Sequence, residues 1–92
     1  MTPSEIREEV IETIKLFSIK YKRKPDQFYD IDDDRYLDEQ FELDSIDLLD
    51  SLLEFCKKYQ LTVPPREDFE SISTLNKTVD YFYPSLKNID KK

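Results

Sequence analysis

Asp44-Ser45-Ile46 stands where an acid-rich, non-periodic stretch runs into the most regular helical pattern of the chain, and it is the place best set up for chemistry. Asp44 suits a helix N-cap, and Asp47, three residues on, can face the same unpaired amides. Ser45 is then the first residue of a helix running roughly from Ser45 to Tyr59, with its hydroxyl projecting from the helix N-terminus. Unpaired N–H groups and the helix dipole favour an anion there, so a phosphate ester on this hydroxyl would be stabilised. Taken alone, such a serine is an ordinary first-turn residue. Its meaning comes from its surroundings.

Other chemistries lack their parts. The chain has no His and no Gly, which removes the Ser-His triad, the His metal ligand and the usual glycine-rich phosphate loops. Asp30, Asp32, Asp33 and Asp34 place carboxylates close together as a hard cation would need. They lack the Gly and the terminal Glu of an EF-hand loop, so the cluster reads as a solvated acidic loop and no metal ligand is assigned. Cys56 is the only cysteine. It falls on or near the apolar side of its helix as a small core residue, so no catalytic residue is assigned to the chain.

The positioning elements follow from periodicity. Thr2-Pro3-Ser4-Glu5 reads as a capping box with proline in the first turn. The stripe Ile6, Val10, Ile14, Phe17, Tyr21 then predicts a first helix over roughly residues 3 to 20, stopped by the basic run to Lys24 and by Pro25. Periodicity disappears from Asp26 to Leu43, which predicts a long acidic loop pinned by Phe28, Tyr29, Ile31, Tyr36, Leu37 and Phe41. In the second helix, Ile46, Leu49, Leu52, Leu53 and Cys56 define the expected inner face, with Asp47, Asp50, Glu54 and Lys57 opposite. A short helix over Arg66 to Ser71, with Phe69 turned inward, follows Val63-Pro64-Pro65. A last helix over roughly 74 to 83 buries Leu75, Val79 and Phe82, with Pro84 as its stop. The fold class is therefore all-α, a small four-helix bundle with three longer helices and one short one. Residues 1–83 form one domain and 84–92 a polar, flexible tail.

The ordered set Asp44-Ser45-Ile46, the acidic helix behind it, Val63-Pro64, Pro65-Arg66-Glu67-Asp68-Phe69-Glu70, Ile72-Ser73-Thr74-Leu75 and Val79-Asp80-Tyr81-Phe82 resembles the acyl carrier proteins. The resemblance implies the bundle topology and a 4'-phosphopantetheine arm, donated from coenzyme A, on Ser45 beside Asp44. It implies a thiol that carries acyl groups as thioesters for fatty-acid, polyketide or related synthesis, and a chain that performs no catalysis itself. It also implies two kinds of partner, a phosphopantetheinyl transferase and acyl-transferring enzymes whose basic patches meet Asp47, Asp50 and Glu54. Two departures stand out. Glu42 occupies a position where the family commonly has Gly, so the loop entering the helix is expected to run differently. Cys56-Lys57-Lys58 replaces further acids and implies a specialised carrier with its own partners.

Ninety-two residues with 14 Lys+Arg against 21 Asp+Glu bound the rest. A net charge of -7 disfavours nucleic acid and favours basic protein surfaces. A single cysteine and the lack of a long apolar run point to a monomeric cytoplasmic protein without membrane insertion. Three alternatives stand beside the acyl carrier. They are a peptidyl or D-alanyl carrier, an unmodified acidic adaptor that binds a basic partner, and, least favoured, a metal-dependent hydrolase built on the loop carboxylates. Residues 26–54 hold twelve acids and one base, a local balance of -11. Mutual repulsion there predicts that the melting temperature rises as moderate salt or a divalent cation is added at neutral pH, because screening acts within about 10 Å at 0.1 M. A calorimetric series with a flat or falling melting temperature would contradict this reading.

Overall fold

Thr2 starts the first helix as its sequence predicts. Its hydroxyl accepts from the Glu5 N–H at 3.2 Å, while the Glu5 carboxylate accepts from the Thr2 N–H at 2.9 Å. In the computed structural model, which describes residues 1–22, 31–62 and 64–89, with backbone alone at Tyr21, Lys22, Arg66 and Phe69, this helix, α1, spans Pro3–Phe17. A π-helical turn, Ser18–Lys22, continues it beyond the expected end near residue 20. Ile6, Val10 and Ile14 are buried, and Phe17 packs at the margin of the core. The side chain of Tyr21 and the expected pins Phe28 and Tyr29 lie outside the described residues, as do Asp26 and Asp30 of the acidic run.

The acidic stretch is more structured than its lack of periodicity suggests. It contains a four-residue helix, α2 (Leu37–Gln40), and an isolated antiparallel bridge between Tyr36 and Thr74. Leu37 and Phe41 are fully buried, as expected of pins, whereas Tyr36 is exposed and acts through its backbone. Polar contacts complete the attachment. Asp33 accepts two hydrogen bonds from the Arg7 guanidinium, at 2.7 and 2.8 Å, and its carbonyl accepts from the Asn76 N–H at 3.0 Å. The Asp34 carboxylate accepts from the Asn76 side chain, and the Asp32 carboxylate from the Asp34 N–H. Acids that look like a solvated cluster thus tie the loop to two helices.

The third helix, α3, spans Ser45–Tyr59, the predicted range, but its inner face differs from the expected one. Leu48, Ser51, Leu52, Phe55 and Cys56 are buried, while Ile46 and Leu53 are 53% and 39% exposed and Leu49 is half-buried. Both stripes have helical spacing, so periodicity alone cannot choose between them. Phe55 decides the matter. It lies fully buried, 5.2 Å centroid to centroid from Phe82, and deleting a core phenylalanine costs about 3–5 kcal/mol, more than exposing Ile46 and half of Leu53.

After α3 the chain forms a 3-10 segment, Arg66–Ile72, where a short helix was expected. Val63 and the side chain of Phe69 lie outside the described residues. The last helix, α4, spans Leu75–Leu86 and is capped by Thr74, whose hydroxyl accepts from the Lys77 N–H at 3.1 Å. Leu75, Val79 and Phe82 face inward as predicted. Pro84, however, does not stop the helix, and Leu86 beyond it is fully buried. Burial of Leu86 offsets the hydrogen bond that proline cannot make, and the Met1 ammonium donates to the carbonyls of Leu86 and Ile89 at and beyond the helix end. Ile89 packs against the core, so the polar tail does not begin at 84. α1 packs against both α3 and α4, which closes an all-α bundle of three long helices and short helical connections.

The bidentate Arg7 contact pulls the Asp33 carboxyl below its ordinary pKa. A lowered native pKa means that the stabilisation is fully present above the unfolded value of about 3.9 and fades as pH falls through the native one. Both side chains are about a third exposed, so the pair is worth on the order of 1 kcal/mol. Asp33→Asn should therefore lower the melting temperature by about 4–8 °C at pH 7. Urea or thermal unfolding of both chains down to pH 2 should show the gap closing below about pH 3.9. A gap independent of pH would assign the loss to something other than this pair.

Candidate functional site

The entrance to α3 is built by alternation. Phe41 and Leu43 are buried, at 1% and 4% exposure, while Glu42 and Asp44 point outward. To bring two inward side chains so close together and still turn into a helix, the backbone goes left-handed at the residue between them. Glu42 has φ 52. The Leu43 N–H donates to the Asp38 carbonyl at 3.0 Å, and the Glu42 N–H to the Glu39 carbonyl at 3.3 Å, so the turn is hydrogen-bonded to α2. Glu42 adopts the conformation that a glycine would take, held there by the burial of its neighbours.

Asp44 follows in an extended conformation and caps the helix. Its carboxylate accepts from the Asp47 N–H at 2.7 Å, and its carbonyl accepts from the Leu48 N–H at 3.0 Å. That leaves the N–H groups of Ser45 and Ile46 without an intrahelical acceptor, beside a half-buried Ser45 hydroxyl. Such a hydroxyl can be esterified, and the ester oxygens would meet these two donors and the positive end of a 15-residue helix. The donor set fits a covalently held phosphodiester. It is poorly suited to free phosphate, since Glu42, Asp44 and Asp47 surround the same point with negative charge.

Other serines compare badly. Ser51 is fully buried and donates to the Leu48 carbonyl at 2.7 Å, and Ser73 is 2% exposed and donates to the Glu70 carbonyl at 2.9 Å. Ser71 is exposed but lies within the 3-10 segment, away from any helix N-terminus. Cys56 is 1% exposed, and burial pushes its thiol pKa up, so it stays protonated as a core side chain.

Asp50 and Glu54 are exposed and Asp47 is half-buried, on the side of α3 that adjoins α1. Lys58 reaches across to Glu9 at 3.0 Å, which holds its ammonium above the ordinary lysine pKa, while Lys57 lies 3.9 Å from Glu54 on the exposed surface. The rotation of α3 adds two features that sequence reasoning placed in the core. Ile46 is exposed directly after Ser45, and Leu53 is exposed among the acids. The competing stripe Leu48, Leu52, Phe55, Tyr59 was visible in the sequence, and its large aromatic residue was the available signal.

α3 ends as it begins, with a left-handed residue. Gln60 has φ 58, its N–H donates to the Lys57 carbonyl and the Leu61 N–H to the Cys56 carbonyl, the Schellman arrangement that favours glycine at this position. Left-handed backbone costs an ordinary residue about 1 kcal/mol or more. Comparing Glu42→Gly with Glu42→Ala isolates this cost, because both lack the glutamate side chain. The glycine chain should be the more stable by about 1 kcal/mol in urea unfolding, less the extra flexibility of glycine in the unfolded state. An alanine chain of equal or greater stability would mean that the turn is not under backbone strain.

Comparison with known proteins was decisive for the family. The family described as phosphopantetheine attachment site matches residues 22–82, more than half of the chain, and the match contains Ser45 together with α2, α3, the 3-10 segment and most of α4. Neither curated proteins nor solved structures contain a significant match. Among the described residues no helix is long and apolar enough to cross a membrane. With a matching family and a helix entrance suited to an esterified serine, the chain belongs to the phosphopantetheine-attachment family of carrier domains, such as acyl carrier proteins, whose cofactor is covalently attached 4'-phosphopantetheine.

Proposed function

We propose that Ser45 carries the arm and that the chain serves as an acyl carrier for fatty-acid, polyketide or related biosynthesis. One observation carries the assignment. Of the four serines within the matched residues, Ser45 alone combines a side chain that is not fully buried with the N-terminus of a long helix. The chemistry supplied by the arm is a terminal thiol that binds acyl groups as thioesters. The chain's own residues have simpler tasks. Asp44 holds the first turn through the Asp47 N–H, so its carboxylate is occupied with capping. The Ser45 and Ile46 N–H groups receive the phosphodiester oxygens. Phe41 and Leu43, buried on either side of Glu42, keep the serine at a fixed place over the bundle.

Esterification joins the Ser45 oxygen to the phosphopantetheine phosphorus, breaks the pyrophosphate link of coenzyme A with release of adenosine 3',5'-bisphosphate, and requires a base for the serine proton and a transferase that holds coenzyme A. Asp47, Asp50 and Glu54, on the surface of the same helix, offer such an enzyme and later acyl-transferring enzymes a patch complementary to Lys and Arg. The acidity of the chain favours acyl over peptidyl or D-alanyl cargo, and the Lys57-Lys58 pair distinguishes this surface from a uniformly acidic one, as a specialised carrier would require.

Intact-protein mass spectrometry tests the reading. The purified chain is incubated with coenzyme A, magnesium and a broad-specificity phosphopantetheinyl transferase, alongside Ser45→Ala and Ser71→Ala. The expected outcome is one phosphopantetheine on the parent and on Ser71→Ala, and none on a folded Ser45→Ala. Modification that persists in Ser45→Ala would move the site. A folded parent that gains nothing would favour the unmodified acidic adaptor, in which charge reversal at Asp47 and Asp50, and not loss of Ser45, abolishes function.

A further inference from the structure

Gln40, the last residue of α2, has both ends of its carboxamide bonded to the backbone of one turn, Asp32 to Arg35. Its Nε2 donates to the Asp32 carbonyl at 2.7 Å and to the Arg35 carbonyl at 3.0 Å, and its Oε1 accepts from the Asp32 N–H at 3.1 Å. The turn is closed by the Arg35 N–H on the Asp32 carbonyl at 3.4 Å. It is fastened to α1 through Arg7 and Asp33, and to α4 through Asn76. Glutamine suits this place because it donates and accepts at once. A glutamate of the same length could only accept at neutral pH, and would set its charge against two carbonyl oxygens beside Asp32 and Asp34.

A helix as short as α2 needs such a brace. One turn does not hold itself together, and Tyr36 gives it no side-chain cap. Its first end is held by Leu37, which is buried and donates its N–H to the Ser73 carbonyl at 2.7 Å. Its last end supplies the acceptors of the turn into α3, the Glu39 carbonyl for the Glu42 N–H and the Asp38 carbonyl for the Leu43 N–H. Buried Phe41 and Leu43 fix how deep that turn sits, yet two pins define an axis about which it can still rock. Gln40, one residue before Phe41 and five before Ser45, blocks that motion from the side. We propose that Gln40 is a positioning residue for arm attachment, holding α2 and the Glu42 turn so that the Ser45 hydroxyl meets the phosphorus in line. The inference rests on Ser45 as the point of attachment. Gln40 touches no substrate and acts through the backbone of residues 41–45. Docking of the transferase on Asp47, Asp50 and Glu54 does not involve it, so its loss belongs in kcat and not in KM. Its three bonds lie at the surface, where water can replace each one, so stability changes little. Water restores the bonds without restoring the geometry, and rate is what responds to a misplaced reacting atom.

Initial rates of arm attachment are measured with coenzyme A, magnesium and the same broad-specificity transferase over a range of carrier concentrations. Amide exchange at Glu42 and Leu43 is followed in ¹⁵N spectra of the unmodified chain, which also check folding. Gln40→Met, similar in length but without hydrogen bonds, should lower kcat about tenfold and leave KM for the carrier within about twofold. Exchange at Glu42 and Leu43 should quicken about tenfold, while the melting temperature stays within about 4 °C of the parent. Gln40→Lys, which keeps a donor that reaches both carbonyls, should restore most of kcat, and Gln40→Glu should not. Thr2→Ala is the control. It removes the cap of α1, so it lowers the melting temperature and leaves kcat as in the parent. A merely structural glutamine would behave as Thr2 does. Equal kcat in Gln40→Met and the parent, a change confined to KM, or a glutamate variant as fast as the parent would overturn the proposal. So would Glu42 and Leu43 amides that exchange at the parent's rate in Gln40→Met. A folded parent that takes no arm would overturn the Ser45 reading and this inference with it, whereas a modified parent matched by Gln40→Met would sink this inference alone.

Discussion

Burial of Leu48, Leu52 and Phe55 sets the rotation of α3, and that rotation decides what the protein shows to others. With Phe55 stacked near Phe82, the opposite side of the helix must face solvent or α1, whatever its residues are. Asp47, Asp50 and Glu54 are suited to it. Ile46 and Leu53 are not, and their exposure is a cost accepted for burying a larger aromatic side chain. An exposed isoleucine and an exposed leucine on one helix are therefore a by-product of packing.

A chain without glycine pays for its turns in backbone strain. α3 is bounded by Glu42 and Gln60, the two described residues with positive φ. Each is held by a local ratchet. At the first, buried Phe41 and Leu43 leave Glu42 no other conformation that keeps both inside; at the second, Leu61 donates back to the Cys56 carbonyl, and Gln60 is the hinge that lets it. Two strained stops of about 1 kcal/mol each are tolerable against a domain stability of about 5–15 kcal/mol because they fix where a functional helix begins and ends. The hydroxyl of Ser45 owes its place to the first of them.

Legibility of the sequence followed the range of the interactions. Caps were readable because they are made within three residues: Thr2 with Glu5 and Asp44 with Asp47 both form as their spacing suggests. The limits of α3 were readable for the same reason. Its rotation was not, since the stripes Ile46-Leu49-Leu53 and Leu48-Leu52-Phe55 have the same period and only contact with Phe82, far along the chain, separates them. Pro84 misled because its local preference was outweighed by burial of Leu86, a tertiary effect. The acidic stretch misled in the opposite direction, for Arg7 and Asn76, its partners, lie 26 and 42 residues away from the acids they bind.

The acids of this chain thus fall into two sets with different consequences. Asp33 and Asp34 are committed to Arg7 and Asn76, so their charge is used within the fold. Glu12, Asp50 and Glu54 lie on exposed helix surface, where screening is strong and their worth to stability is small. Substituting the first set should act mainly through folding and the second mainly through association. Asp50 and Glu54 also lie on a different side of α3 from the serine, about 140° and 180° from Ser45 around the helix axis. A group esterified to Ser45 and a partner seated on those acids would occupy separate surfaces of one rigid element, so holding a cargo and holding a partner need not compete.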